Sequence, residues 1–128
     1  MENKGFLIDS HIFIWWMKKS TKIPQKLYGQ LNNPNNRIYL SIASVWEIII
    51  KKAKKKLKIE YDIEKGILKS RFQLLPIELK HLLKLVNLPE FHKDPFDRIL
   101  ISQSQVENLT FITADPKIWK YKINLLKA

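Results

Sequence analysis

Asp9, Glu47, Asp97 and Asp115 each stand where a short apolar run hands over to a helical pattern. They belong to a set of only 12 acidic residues, against 23 lysines and arginines, in a chain of formal charge +11. Carboxylates gathered in one cleft repel one another unless a cation or a proton intervenes. Magnesium and manganese are held by oxygen ligands, usually a few carboxylates plus waters. Two such ions, or one with an activated water, can drive in-line attack on a phosphodiester. An acidic cleft in a cationic protein therefore points to a divalent metal working on a polyanion. That chemistry needs neither histidine nor cysteine.

Each acid also has a purely structural explanation. Asp9 directly follows Phe6-Leu7-Ile8 and suits an N-cap for the segment starting at Ser10. Beyond the carboxyl end of a strand it would equally stand at the mouth of a ligand site. Glu47 closes Ser44-Val45-Trp46-Glu47, which has the form of a capping box. The helical pattern starts nearer Ile42, however, which puts Glu47 among Val45, Trp46, Ile48, Ile49 and Ile50. A charge in such company needs a partner. Asp94 suits an N-cap with Pro95 in the first helical turn, leaving Asp97 near the positive end of the helix dipole. One aspartate is enough to cap, so Asp97 is the more informative of the two. Asp115, between Thr110–Thr113 and Pro116, also suits a cap. Four acids at comparable junctions are harder to explain by capping than any one of them.

The elements that must position these side chains follow from periodicity. Phe6–Ile8, Ile38–Leu40, Leu74–Ile77, Thr110–Thr113 and Ile123–Leu126 read as short strands or extended segments. Helical patterns cover His11–Met17, Pro24–Leu31, Ile42–Ala53, Tyr61–Phe72, Glu78–Val86 and Pro95–Val106, with a helical turn at Pro116–Trp119. Gly66 weakens the fourth. In the third, Ile42, Val45, Trp46, Ile49 and Ile50 recur at helical spacing, and Trp46 reads as core. Asn32-Asn33-Pro34-Asn35-Asn36 is a turn. Apolar strands alternating with helices predict a parallel sheet covered on both faces.

Composition narrows the classes further. A chain of 128 residues reads as one compact domain, 1–128, with 45% hydrophobic residues to build its core. Without cysteine, disulfides, zinc-thiolate sites and thiol catalysis are excluded, which fits a reducing compartment. Met1–Gly5 leads straight into a strand-like run, so no signal peptide is expected, and no apolar run approaches the ~18 residues of a membrane span. A cytoplasmic location is expected.

Four segments together carry a resemblance. Leu7-Ile8-Asp9-Ser10-His11-Ile12-Phe13, Ser41-Ile42-Ala43-Ser44-Val45-Trp46-Glu47-Ile48, His92-Lys93-Asp94-Pro95-Phe96-Asp97-Arg98 and Phe111-Ile112-Thr113-Ala114-Asp115 resemble the PIN domain, and within it the VapC-type toxin branch. The resemblance runs over nearly the whole chain, in order. It implies a three-layer α/β/α fold around a parallel sheet. It implies a Mg²⁺- or Mn²⁺-dependent endoribonuclease with an RNA substrate, a cognate antitoxin that blocks the site, and a homodimer. Asp9, Glu47, Asp97 and Asp115 match the acidic quartet that serves catalysis and metal binding; Ser10 and Thr113 match its hydroxyl positions. Asp94 is then an accessory acid or the cap. This chain departs from the pattern at Lys55, where the branch often has Gly; Lys takes positive φ only at a cost, so a different local turn is expected. Ser102 and Ser104 replace a frequent Ala.

Several further residues are open to two readings. Lys51, Lys52, Lys54 and Lys55, in the run Lys51–Lys58, suit RNA phosphates or a solvated helix end. Arg98 suits the scissile phosphate or an ion pair with Asp94. Of Trp15 and Trp16, one is expected to face the core and the other to stack on bases or meet the antitoxin. His11, His81 and His92 lack ligand spacing and read as structural, with His92 the exception to watch beside Asp94 and Asp97. Two other functions share much of this evidence. One is a PIN-type RNA-processing nuclease without an antitoxin, which the adjacent reading frame would discriminate. The other is a non-catalytic RNA-binding regulatory module whose acids only cap, which metal titration would discriminate.

Overall fold

The computed structural model describes residues 5–55 and 62–128. Five parallel strands, β1 (Gly5–Ile8), β2 (Arg37–Ser41), β3 (Gln73–Leu75), β4 (Thr110–Thr113) and β5 (Leu125–Lys127), form one sheet in the order β3-β2-β1-β4-β5. The chain winds outward from β1 through β2 to β3, then returns to the other side of β1 for β4 and β5. The crevice where the order reverses lies beyond the carboxyl ends of β1 and β4, where open α/β sheets bind ligands. Asp9 and Asp115 follow those two strands.

Alternation along the strands separates two apolar layers. Phe6, Ile8, Ile38, Leu40 and Ile112 face one core, shared with α1 (Ser10–Met17) and α2 (Gln25–Asn32). Ile63 and Ile67 of α4 (Ile63–Ser70) pack onto that side. Leu7 and Phe111 face the other core, shared with Ile99, Leu100 and Ile101 of α6 (Pro95–Val106). α5 (Leu79–Lys84) packs on α6. This is the expected three-layer α/β/α sandwich. Among the described residues no helix is long and apolar enough to cross a membrane.

Most element boundaries fall within two residues of the periodicity. The predicted helix 78–86 shortens to α5 plus a 3₁₀ turn at Leu85–Asn87, and the last strand starts at Leu125 instead of Ile123. The predicted Tyr61 start of α4 and the lysines of the run at 56 and 58 lie outside the described residues.

One helix turns over from expectation. α3 (Ile42–Ala53) starts on Ser41, whose Oγ accepts the Ala43 N–H at 3.0 Å, so Ser44-Val45-Trp46-Glu47 is not a capping box. Its buried residues are Ala43, Ser44, Glu47 and Ile48. The apolar stripe faces outward instead: Trp46 is 56% exposed and Ile49 50%. Trp46 is therefore not core; it meets the edge of the Phe96 ring at 5.1 Å between centroids. Helical spacing alone cannot say which face goes in when a polar residue is needed inside.

Candidate active site

Asp9 is the N-cap of α1 and also lines the cleft. Its Oδ1 accepts the Ile12 N–H at 2.8 Å, while Oδ2 accepts the Thr113 hydroxyl at 2.6 Å. Asp115 divides its oxygens in the same way. Its Oδ1 accepts the Lys117 N–H at 3.0 Å and its Oδ2 lies 2.9 Å from His92 Nε2. Thr113 Oγ1 also accepts the Asp115 N–H at 3.1 Å, so one buried hydroxyl ties the two strand ends together. Asp9 thus realises the capping reading, while Asp115 closes a local turn; each keeps its second oxygen for a partner distant in sequence.

Asp94 is the cap of α6, accepting the N–H of Phe96 at 2.8 Å and of Asp97 at 3.2 Å. Asp97 is thereby spared capping; its Oδ2 lies 3.0 Å from His92 Nε2, and it lines the cleft with Asp9 and Asp115. Burial first, then the charges of Asp94, Glu47, Asp9 and Asp115, push its carboxyl up to about 8. Asp9 is also raised, chiefly by burial and against the hydrogen bonds from Thr113 and Ile12. Asp9, His11, Trp15, Asp97, Ala114 and Asp115 line a cleft of about 270 Å³. A larger cavity, about 520 Å³, lies between α1, α2 and α4 and carries one carboxylate, Asp62.

Glu47 stands at the edge of the group, only 5% exposed. The Ser10 hydroxyl donates to its Oε1 at 2.6 Å, and Lys51 Nζ lies 3.2 Å from its Oε2. Lys51 is thus the counter-charge that a buried glutamate requires, one helical turn away. Lys52, Lys54 and Lys55 remain on the exposed surface.

Two expectations are corrected, for Arg98 and Lys55. Arg98 neither pairs with Asp94 nor faces the cleft: its guanidinium donates to the carbonyls of Pro89, His92, Leu85 and Leu88 at 2.9–3.4 Å. The turn at 85–92 leaves carbonyls that need donors, and a five-donor fork satisfies several at once. Trp16 packs on the Phe13 and Phe72 rings of the first core, while Trp15, partly buried beside it, also lines the cleft. Lys55 does adopt the left-handed conformation, φ 57°, so the turn usually made by Gly is kept.

The histidines divide. His81 is structural, buried, with Nε2 2.8 Å from Glu107 Oε2 and Nδ1 accepting the Glu78 N–H at 2.9 Å. His11 lines the cleft instead of the core. His92 reaches both Asp97 and Asp115, and its Nε2 and one oxygen of each lie within 4.8 Å of one another. Tyr121 was not singled out by sequence. Its hydroxyl accepts the His92 N–H at 3.0 Å and donates to Pro89 O at 2.7 Å, and nothing in the local pattern around residue 121 marks it.

The donor set fits a hard divalent cation. Asp9, Asp97 and Asp115 present carboxylate oxygens to the cleft, and repulsion among carboxylates adds to the burial that raises Asp97; a cation would relieve that repulsion.

Comparison with known proteins agrees with this fold. The PIN domain family profile matches residues 6–123. Among solved structures, VapBC2 from Rickettsia felis, bound to a DNA fragment from its promoter, superposes with a TM-score of 0.72 at 18% identity, covering 97% of this chain and 98% of that one. A toxin–antitoxin complex from Klebsiella pneumoniae gives 0.69 at 19% identity over 94% and 95%. VapBC-1 from nontypeable Haemophilus influenzae gives 0.65 at 20% over 96% and 97%. Comparison with curated proteins by sequence gives no match.

Proposed function

Because this chain belongs to the PIN domain family, we propose that it is a metal-dependent endoribonuclease, the toxin of a toxin–antitoxin pair. The observation that carries the reading is the convergence on Asp97: a carboxyl held up to about 8 by its burial and by four other carboxylates. Structural caps do not need such a cluster.

Asp9, Asp97 and Asp115 would hold Mg²⁺ or Mn²⁺, with Glu47 joining directly or through water. When bound, such an ion lowers the pKa of a water and offsets charge building on the phosphate. The chain's own residues do the rest. Thr113 orients Asp9, Ser10 and Lys51 orient Glu47, and the Asp94 cap relieves Asp97 of capping. Lysines outside the cleft gather RNA by long-range attraction.

The toxin assignment is supported by the solved structures described above, several of which are toxin–antitoxin complexes. It is supported too by uncovered apolar surface: the outward stripe of α3, and Leu79, Leu83 and Val86 at 60–83% exposure on α5 and the turn after it. Exposed apolar patches mark interfaces, and an antitoxin or a second copy of the chain would cover them.

The test is cleavage of total cellular RNA with mapped ends, with and without EDTA. Discrete cuts that vanish with EDTA, and in Asp9→Asn and Asp97→Asn variants that still fold, are expected. Undiminished cleavage by either variant contradicts the assigned roles. A small protein encoded beside this gene is expected to bind the chain and suppress cleavage; its absence would leave an RNA-processing nuclease.

A further inference from the structure

Nε2 of His92 lies 3.0 Å from Asp97 Oδ2 and 2.9 Å from Asp115 Oδ2, which invites its inclusion among metal ligands. The other ring nitrogen argues against it. His92 Nδ1 accepts the backbone N–H of Asp94 at 3.1 Å. A backbone N–H can only donate, so Nδ1 carries a lone pair and no proton. The neutral ring must then bear its proton on Nε2, between the two carboxylates. A ligand needs a lone pair there. Ligation through Nε2 would require either an imidazolate or a tautomer that sets two N–H donors head to head at Asp94.

The ring has a built seat. Tyr121 accepts the His92 N–H, and Arg98 donates to the His92 carbonyl at 3.3 Å. The first contact of α6, Asp94 N–H, fixes the ring's rotation. Backbone and ring are therefore held from three directions before Nε2–H meets its acceptors. Resting on the nuclease reading above, we propose that His92 is a positioning residue. It joins Asp97 of α6 to Asp115 after β4 through a shared Nε2–H, and it does not itself bind the cation.

The experiment has two arms. Long-range ¹H–¹⁵N correlation of the imidazoles in the full chain reads the tautomer directly, with a His92→Gln spectrum assigning the signal. The Nε2–H tautomer is expected both without metal and with saturating Mg²⁺. An Nδ1–H ring, or loss of the Nε2 proton when Mg²⁺ is added, overturns the proposal whatever the enzyme's activity. In the second arm, Mn²⁺ affinity is measured by calorimetry. His92→Ala should weaken it about 10-fold, the lower range for groups that orient metal ligands. His92→Gln, which keeps an N–H donor, should restore most of the affinity. Equal affinity in the alanine variant and the parent overturns the positioning role alone. A folded parent that takes up no Mn²⁺ overturns the metal reading, and this proposal with it.

Discussion

Asp97 is where the site's electrostatics are concentrated. Free in an unfolded chain it titrates near 3.8; in the cation-free fold it is raised to about 8. A group raised on folding stabilises the fold fully below its unfolded value, and that contribution is lost as pH climbs through the folded one. The cation-free protein should therefore weaken between about pH 4 and pH 8 through this carboxyl. Asp97→Asn removes the titration. In EDTA, thermal melts should show the variant gaining on the parent from pH 5 to pH 9. Constant spacing between the two melting temperatures would mean that Asp97 is not crowded as described. The same charge explains why a cap alone is an incomplete account of Asp94. It satisfies two N–H groups and also adds to the repulsion on its neighbour three residues on.

At the scale of elements, the ends of helices show how much backbone strain this chain accepts. The chain has three glycines, none with positive φ, while α3, α4 and α6 end at Lys55, Arg71 and Asn108 with φ of 57°, 62° and 55°. A left-handed residue after a helix lets orphan carbonyls find donors; here Lys55 N–H reaches Lys52 O at 3.1 Å. For a lysine that conformation costs roughly 1–2 kcal/mol. Glycine would remove the cost while losing about 0.5–1 kcal/mol of chain entropy. Lys55→Gly should thus stabilise the protein by about 0.5–1 kcal/mol in urea unfolding. A destabilised variant would show that the Lys55 side chain contributes something its exposed position does not reveal. Arg98 works at the same scale. By donating to four carbonyls between Leu85 and His92 it fastens the approach to α6, and so helps to place His92 and Asp97 without touching the cleft.

For the whole molecule, the charge of +11 sets the long-range field around a cleft whose own charge is negative. Exposed lysines, not cleft residues, should then govern first contact with RNA. On the proposed function, with single-stranded RNA and the Asp9→Asn variant, in which cleavage is expected to be lost, log affinity should fall linearly with log salt. Replacing both Lys52 and Lys54 with Ala should reduce that slope by roughly 1.4, at ~0.7 for each phosphate no longer neutralised. An unchanged slope would take this end of α3 out of the RNA path.

Periodicity and turn chemistry were enough to place nearly every element, because short apolar strands and capped helices are local facts. The positions of Asp9, Asp97 and Asp115, which line one cleft, were legible for the same reason: each sits at a junction that the local pattern marks. The Asp94 cap was legible too, since N-caps act within three residues. What no local pattern holds is which face of α3 goes inside. Its apolar stripe argued for Trp46 in the core, but Ser44 and Glu47 are buried instead, Glu47 accepting the Ser10 hydroxyl of α1. The partners of Arg98, the Ser10 hydroxyl on Glu47, and the Tyr121 and His92 chain are of the same kind. They join residues as distant as His92 and Tyr121, which only the winding of five strands brings within hydrogen-bond reach.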